Sequence, residues 1–124
     1  YFFQGVGNAT ERITLRSNGG LANFQGNDFN LSDANAKRII GLTADYTDFV
    51  EALDGKYKRF VYRDAPPEAG EIDGVTAQDL ELLAPELVGE FAPGLKGVYS
   101  HRYQERINSV VPRLIKRIKA LEAQ

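Results

Sequence analysis

The sequence predicts an α+β domain dominated by helix. Three observations carry this. Asn18-Gly19 sits between two runs of alternating apolar residues, ITLRS and GLANF, the pattern of a tight β-hairpin. KYKRFVYRD at 56–64 is rich in aromatic and β-branched residues, which favour a pleated strand. Two later stretches place apolar residues at helical spacing, one from Thr76 and one from about Gly97 to Ala123. A mainly helical bundle with a small β appendage is the alternative.

Taken in order, the hairpin predicts a two-residue turn at Asn18-Gly19. Leu15 would then face Ala22, Ile13 would face Phe24, and these four would share the core face. Ser32 is a candidate N-cap for a short helix over 33–42. A second helix over 45–54 follows from Tyr46, Phe49, Val50 and Leu53 at i, i+3, i+4 and i+7, with Gly55 as its C-cap. A third strand is predicted over Tyr57–Arg63, although the same residues could prolong the preceding helix. Residues 64–75, with Pro66-Pro67 and two glycines, read as loop. Thr76, with Asp79 three residues on, opens a helix. Its apolar stripe is Leu80, Leu83, Leu87 and Phe91, and Pro85 interrupts it. The last helix carries Tyr99, Tyr103, Ile107, Val110, Val111, Leu114, Ile118 and Leu121 on one stripe. Pro112 should kink it. Its apolar stripe should pack on Leu80, Leu83, Leu87 and the Tyr46–Leu53 face.

The 124 residues suit one domain over 6–124, with Tyr1–Gly5 (YFFQG) set aside because it looks like the tail of a protease-cleavable purification tag. The absence of cysteine excludes disulfides, a thiolate nucleophile and iron–sulfur chemistry, and one histidine makes a zinc site unexpected. No metal or cofactor is expected. No apolar run approaches the roughly 20 residues that span a bilayer.

Charge is the most informative global feature. The net charge is -2, but residues 64–95 carry eight acidic groups and no basic one, while 96–124 carry seven basic and two acidic. On the last helix Arg102, Arg106, Arg113, Lys116 and Arg117 fall within about 100° of one another beside the apolar stripe. Such a flank suits an acidic protein surface, self-association or peripheral contact with an anionic membrane. It would equally serve as a solvated face paired internally with the acidic segment. The expected function is therefore a non-enzymatic accessory module that docks to a larger partner, with Tyr99, Arg102, Arg106, Arg113, Lys116 and Arg117 as the contact residues.

Two other readings compete. His101 and Tyr103 could line the cleft of a small-molecule-binding or hydrolytic domain, but no nucleophile elbow, P-loop or dinucleotide fingerprint accompanies them. Residues 31–54 resemble a helix-turn-helix in outline. The second helix, however, carries Asp45, Asp48 and Glu51 and no basic residue, so phosphates would repel it and nucleic-acid binding is not expected.

Overall fold

The structure is a computed structural model that describes the backbone of residues 3–7, 10–26 and 28–124 and the side chains of 12–25 and 28–124. Tyr1 and Phe2 of the suspected tag lie outside the described residues. The fold is mixed α+β, with its longest helix at the C-terminal end. It divides into two compact units, residues 1–41 and 42–124.

The first unit is a three-stranded antiparallel sheet of β1 (Phe3–Gly7), β2 (Thr10–Leu15) and β3 (Leu21–Asn23), in that order. Phe3–Gly5, set aside as a tag remnant, belong to β1 and pair with β2. The hairpin forms at Asn18-Gly19, but its register differs by one from that expected. Leu15 faces Leu21, Thr14 faces Ala22 and Ile13 faces Asn23. The turn uses three residues instead of two. Gly19 N–H donates to Arg16 O (2.9 Å), Arg16 N–H donates to Gly20 O (2.8 Å) and Gly19 takes φ 88°. This is a type I turn closed by a left-handed glycine. A one-residue slip exchanges the faces of a strand. Thr14, 1% exposed, is therefore the buried residue, and Ile13 and Leu15 lie on the outer side. Phe24 has left the strand for a 3-10 turn over Phe24–Gly26, where the Arg12 guanidinium stacks on its ring at 4.2 Å.

The expected helix over 33–42 does not form. Only Ala34–Ala36 makes one 3-10 turn, capped by Asp33 rather than Ser32: the Asp33 carboxylate accepts from Asn35 N–H at 2.8 Å. Ser32 accepts instead from Lys37 Nζ at 2.6 Å. Ile39, Ile40 and Leu42 remain exposed. A helix this short depends on tertiary packing of an apolar face, and nothing covers these residues. The two-helix geometry suggested for 31–54 is accordingly absent.

The second unit begins with α1 (Thr47–Glu51), shorter than the 45–54 expected, and Gly55 follows it with φ 79° as anticipated. Asp45 anchors its start, accepting from both the backbone N–H (3.0 Å) and the hydroxyl (2.6 Å) of Thr47. The strand at 57–63 is present as β4 (Lys58–Phe60). Its antiparallel partner β5 (Ile72–Gly74) lies inside the segment expected to be loop. α2 (Ala77–Leu83) starts as predicted, with Thr76 Oγ1 accepting from Asp79 N–H at 3.1 Å. It ends at Ala84, and Pro85 opens a 3-10 turn through Leu87.

The helix does not run on to Phe91. β6 (Val88–Ala92) and β7 (Leu95–Val98) form a hairpin around Pro93-Gly94. Proline at the first central position and Gly94 at φ 78° at the second are what a type II turn requires. A bulge between Glu90 and Ala92 absorbs the mismatch with strand twist. Phe91 consequently lies outside, 83% exposed, not on a helical stripe.

The C-terminal segment starts at Ser100, three residues later than expected, because 95–98 is strand. It consists of α3 (Ser100–Asn108) and α4 (Val110–Glu122). The break falls at Ser109 rather than at Pro112 itself. Pro112 lacks the N–H that would bond the Asn108 carbonyl, and its ring crowds that same carbonyl four residues back. The core comprises Leu53, Leu80, Ala84 and Leu87, packed against by Phe49, Val75, Val88, Val98, Tyr103 and Ile107. This is the expected union of the α2 stripe with the 46–53 face. Leu83, predicted in it, sits at its edge, partly exposed.

Candidate interaction surface

The basic residues of α3 and α4 divide between two roles. Arg106, its side chain only 13% exposed, pairs with Glu86 at 2.8 Å. Its guanidinium stacks on the rings of Tyr46 (4.2 Å) and Phe49 (5.1 Å). Arg113 donates to the Thr43 carbonyl at 2.7 Å and lies 3.8 Å from Asp45. Arg117 donates to Asp45 Oδ2 at 2.6 Å and to Thr47 Oγ1 at 3.1 Å. Three of the five cations thus fold back on the Thr43–Phe49 segment and on Glu86, and hold α1 against the C-terminal helices. Asp45, hydrogen-bonded by Thr47 above all and also by Arg117, is held down at about 2.

Tyr99 and Arg102 are also used internally. The Tyr99 ring lies over Gly89, so close that a Cβ built there would meet its hydroxyl at 2.7 Å. The Arg102 guanidinium stacks on the Tyr99 ring, 4.6 Å from its centroid. Arg102 and Arg106, with Glu86, Glu105, Thr43 and Tyr46, line an open cavity of about 450 Å³. Lys116 is different. Neither its side chain nor that of Lys119 makes an ion pair or hydrogen bond among the described residues.

His101 and Tyr103 do not share a side of α3, since residues two apart on a helix point away from each other. His101 is exposed, while Tyr103 turns inward beneath Phe49 and Tyr57. Its hydroxyl lies 2.5 Å from the Tyr57 hydroxyl. Burial first, and this hydrogen bond second, push the Tyr103 phenol well above its ordinary value. Among the described residues no three His, Asp or Glu side chains are arranged to hold a metal ion.

The feature that charge reasoning missed is apolar. On α4, Val111, Leu114, Ile115, Ile118 and Leu121 occupy an arc of about 120° and are 42% to 66% exposed. Only Val110, near the start of the helix, is buried. The signal was legible in the stripe itself, which runs farther than the core residues available to cover it. Arg117, then Arg113, follow this arc on the side facing α1, Lys119 borders it on the other side, and Lys116 lies on the opposite face of the helix. No helix of the described residues is long and apolar enough to cross a membrane.

No protein-family model matches the chain, and no curated protein or solved structure is significantly similar to it.

Proposed function

We propose that the chain is a non-enzymatic interaction module that docks to a protein partner through the outer face of its C-terminal helix. The observation that carries this reading is the uncovered arc of five aliphatic side chains on α4. Scattered single apolar residues on a surface are ordinary, but a contiguous stripe on a well-formed helix marks a contact site. The basic residues expected to make the contact play two parts. Arg106, Arg113 and Arg117 hold the helix in place, and Lys119 borders the stripe, while Lys116 stands on the opposite face of the helix. Tyr99 and Arg102 stand at the other end, on the hairpin side.

The magnitudes bound the affinity. Fully burying such a side chain is worth about 1.5–3 kcal/mol. Each is already half covered, so completing the burial of five contributes about 5 kcal/mol. Association costs roughly 4–15 kcal/mol in lost freedom. The stripe is thus an anchor that needs further contact area from its partner.

A photo-crosslinking residue at Ile118 or at the control position Gln104 on α3 tests the reading in the producing cells. A discrete protein adduct is expected from Ile118, none from Gln104, and loss of the adduct when Leu114→Gln and Leu121→Gln are added. Equal adducts from both positions, or none from Ile118, would overturn it.

A further inference from the structure

We infer that Asn18-Gly19 is a self-modifying site, where the Asn18 amide is lost through a cyclic imide and the hydrogen bond from Gly19 to Arg16 gates the reaction. The products are aspartate and isoaspartate, and the co-reactant is water. Every protein atom involved lies between Arg16 and Gly20, within the first unit.

The chemistry needs a side-chain amide beside an unhindered backbone nitrogen. Of the seven asparagines, Asn18 alone precedes a glycine. Glycine has no Cβ to shield its nitrogen from the neighbouring side chain. Both residues are exposed. Apart from the adjoining residues, no atom lies within 4 Å of where a Gly19 Cβ would stand.

The Gly19 nitrogen attacks Cγ of Asn18. The N–Cγ bond forms, the Cγ–Nδ2 bond breaks, and ammonia leaves with the proton that Gly19 N–H gives up. Water then adds across one of the two C–N bonds of the imide. Opening at Cγ returns the ordinary main chain with a carboxylate on the side chain. Opening at the main-chain carbonyl carbon leaves isoaspartate, in which the chain runs through Cγ. Either way one water enters, one ammonia leaves, and nothing is oxidised or reduced.

The turn holds the two reacting groups differently. Gly20 N–H donates to Asn18 Oδ1 at 2.9 Å, which orients the amide and draws electron density from Cγ. The nucleophile is tied, because Gly19 N–H donates to the Arg16 carbonyl at 2.9 Å. That bond keeps the proton on the nitrogen. It lies at an exposed chain reversal beyond the end of the strand ladder, where local opening takes least free energy. Asn108 is the contrasting case. The next nitrogen, Ser109 N, carries a side chain beside it and is held in helical geometry by the Glu105 carbonyl at 3.0 Å.

Isoaspartate adds one carbon to the main chain inside the turn. The bonds from Gly19 N–H to Arg16 O and from Arg16 N–H to Gly20 O cannot both survive this, and Leu15 pairs with Leu21 immediately beyond them. The register that buries Thr14 loosens there. The aspartate product instead keeps an acceptor for Gly20 N–H and adds one negative charge to a chain of net charge -2.

The test holds the full chain in warm, mildly alkaline buffer and follows it by peptide mass spectrometry, with fragmentation that separates aspartate from isoaspartate. Asn18 should convert before any other asparagine, to both products, and faster as pH rises and base removes the Gly19 proton. Concentrated guanidinium chloride removes the turn, and a free peptide of residues 14–22 in the same two solutions corrects for the solvent. The corrected Asn18 rate should rise about 2–10-fold in denaturant, the factor set by one hydrogen bond of ordinary net strength. Gly19→Ala, compared in denaturant so that its fold is irrelevant, should slow the reaction because its Cβ crowds the nitrogen. Earlier conversion of another asparagine, aspartate without isoaspartate, or a rate indifferent to Gly19→Ala would overturn the site. A corrected rate no higher in denaturant than in the folded chain would overturn the gate.

Discussion

Replacing Arg106 by alanine should destabilise residues 42–124 more than any other single charge removal on the C-terminal helices. The guanidinium lies over two aromatic rings, 4.2 Å from Tyr46 and 5.1 Å from Phe49, and its side chain is 13% exposed. A partly desolvated stack of this kind is worth about 1–2 kcal/mol. The aliphatic stem covers the edge of the core, and its loss adds about 1 kcal/mol. The ion pair adds little, because Glu86 is 59% exposed and solvent screens it. The sum, about 2–3 kcal/mol, would lower the midpoint of thermal unfolding by roughly 10–20 °C for a unit of this size. Arg106→Lys keeps the charge and most of the stem, and should recover about half of the loss. Glu86→Gln should shift the midpoint far less than either. The assay is thermal unfolding followed by circular dichroism, with urea unfolding as a second measure. If Glu86→Gln matched Arg106→Ala, the ion pair and not the stacking would be the dominant contact. If Arg106→Ala left the midpoint unchanged, the reasoning would fail.

Three further outcomes are expected. Asp45 has a folded value of about 2, below its ordinary 3.8. Its contribution to stability is therefore present above about pH 4 and lost as pH falls toward 2. The urea midpoints of the parent chain and Asp45→Asn should differ at pH 6 and converge in acid, and a constant gap would contradict this. Gly89→Ala drives a Cβ to within 2.7 Å of the Tyr99 hydroxyl. The ring must swing off Arg102, at a cost of about 1–3 kcal/mol, and adding Tyr99→Ala should return part of the lost urea midpoint. Tyr103→Phe deletes the 2.5 Å hydrogen bond to Tyr57 and should cost about 1 kcal/mol in chemical unfolding. Because burial and Tyr57 raise the Tyr103 value, its contribution is complete below the ordinary pKa of a phenol, near 10. It is lost as pH climbs above that, so the variant should lose its disadvantage in strong alkali.

The parts of the fold legible in the sequence are those fixed by local chemistry. The Thr76 cap with Asp79, the glycine after α1 and the new turn at Pro85 each need one residue type at one place. The parts that were not legible depend on competition between neighbours. Leu83, Leu87 and Phe91 keep helical spacing, yet the β-branched Val88 and Val98 on either side of the Pro93-Gly94 turn favour a hairpin, and the hairpin prevails. The first hairpin was visible at Asn18-Gly19, but the number of residues in its turn was not, and one residue decides which face Thr14 takes. Residues 33–42 have helix-compatible composition but no surface to pack on. The surface residues show the same division. The arginines on α3 and α4 were visible as a stripe, but their main counter-charge, Asp45, lies outside the acidic segment at 64–95. Only the folded chain brings residues 70 positions apart together, and it thereby leaves the aliphatic arc as the open surface.

The central claim is that the outer face of α4 is covered when the protein works. The chain has no cysteine, so a single Ile118→Cys substitution supplies one thiol in the middle of the stripe. Its rate of modification by a thiol reagent, compared with that of Gln104→Cys on α3, measures coverage directly. Conservative as this change is, it leaves Val111, Leu114, Ile115 and Leu121 to bind. The account predicts that the Ile118→Cys rate lies far below the Gln104→Cys rate in the producing cells and approaches it in the purified chain. Equal rates at both positions in the producing cells would contradict it.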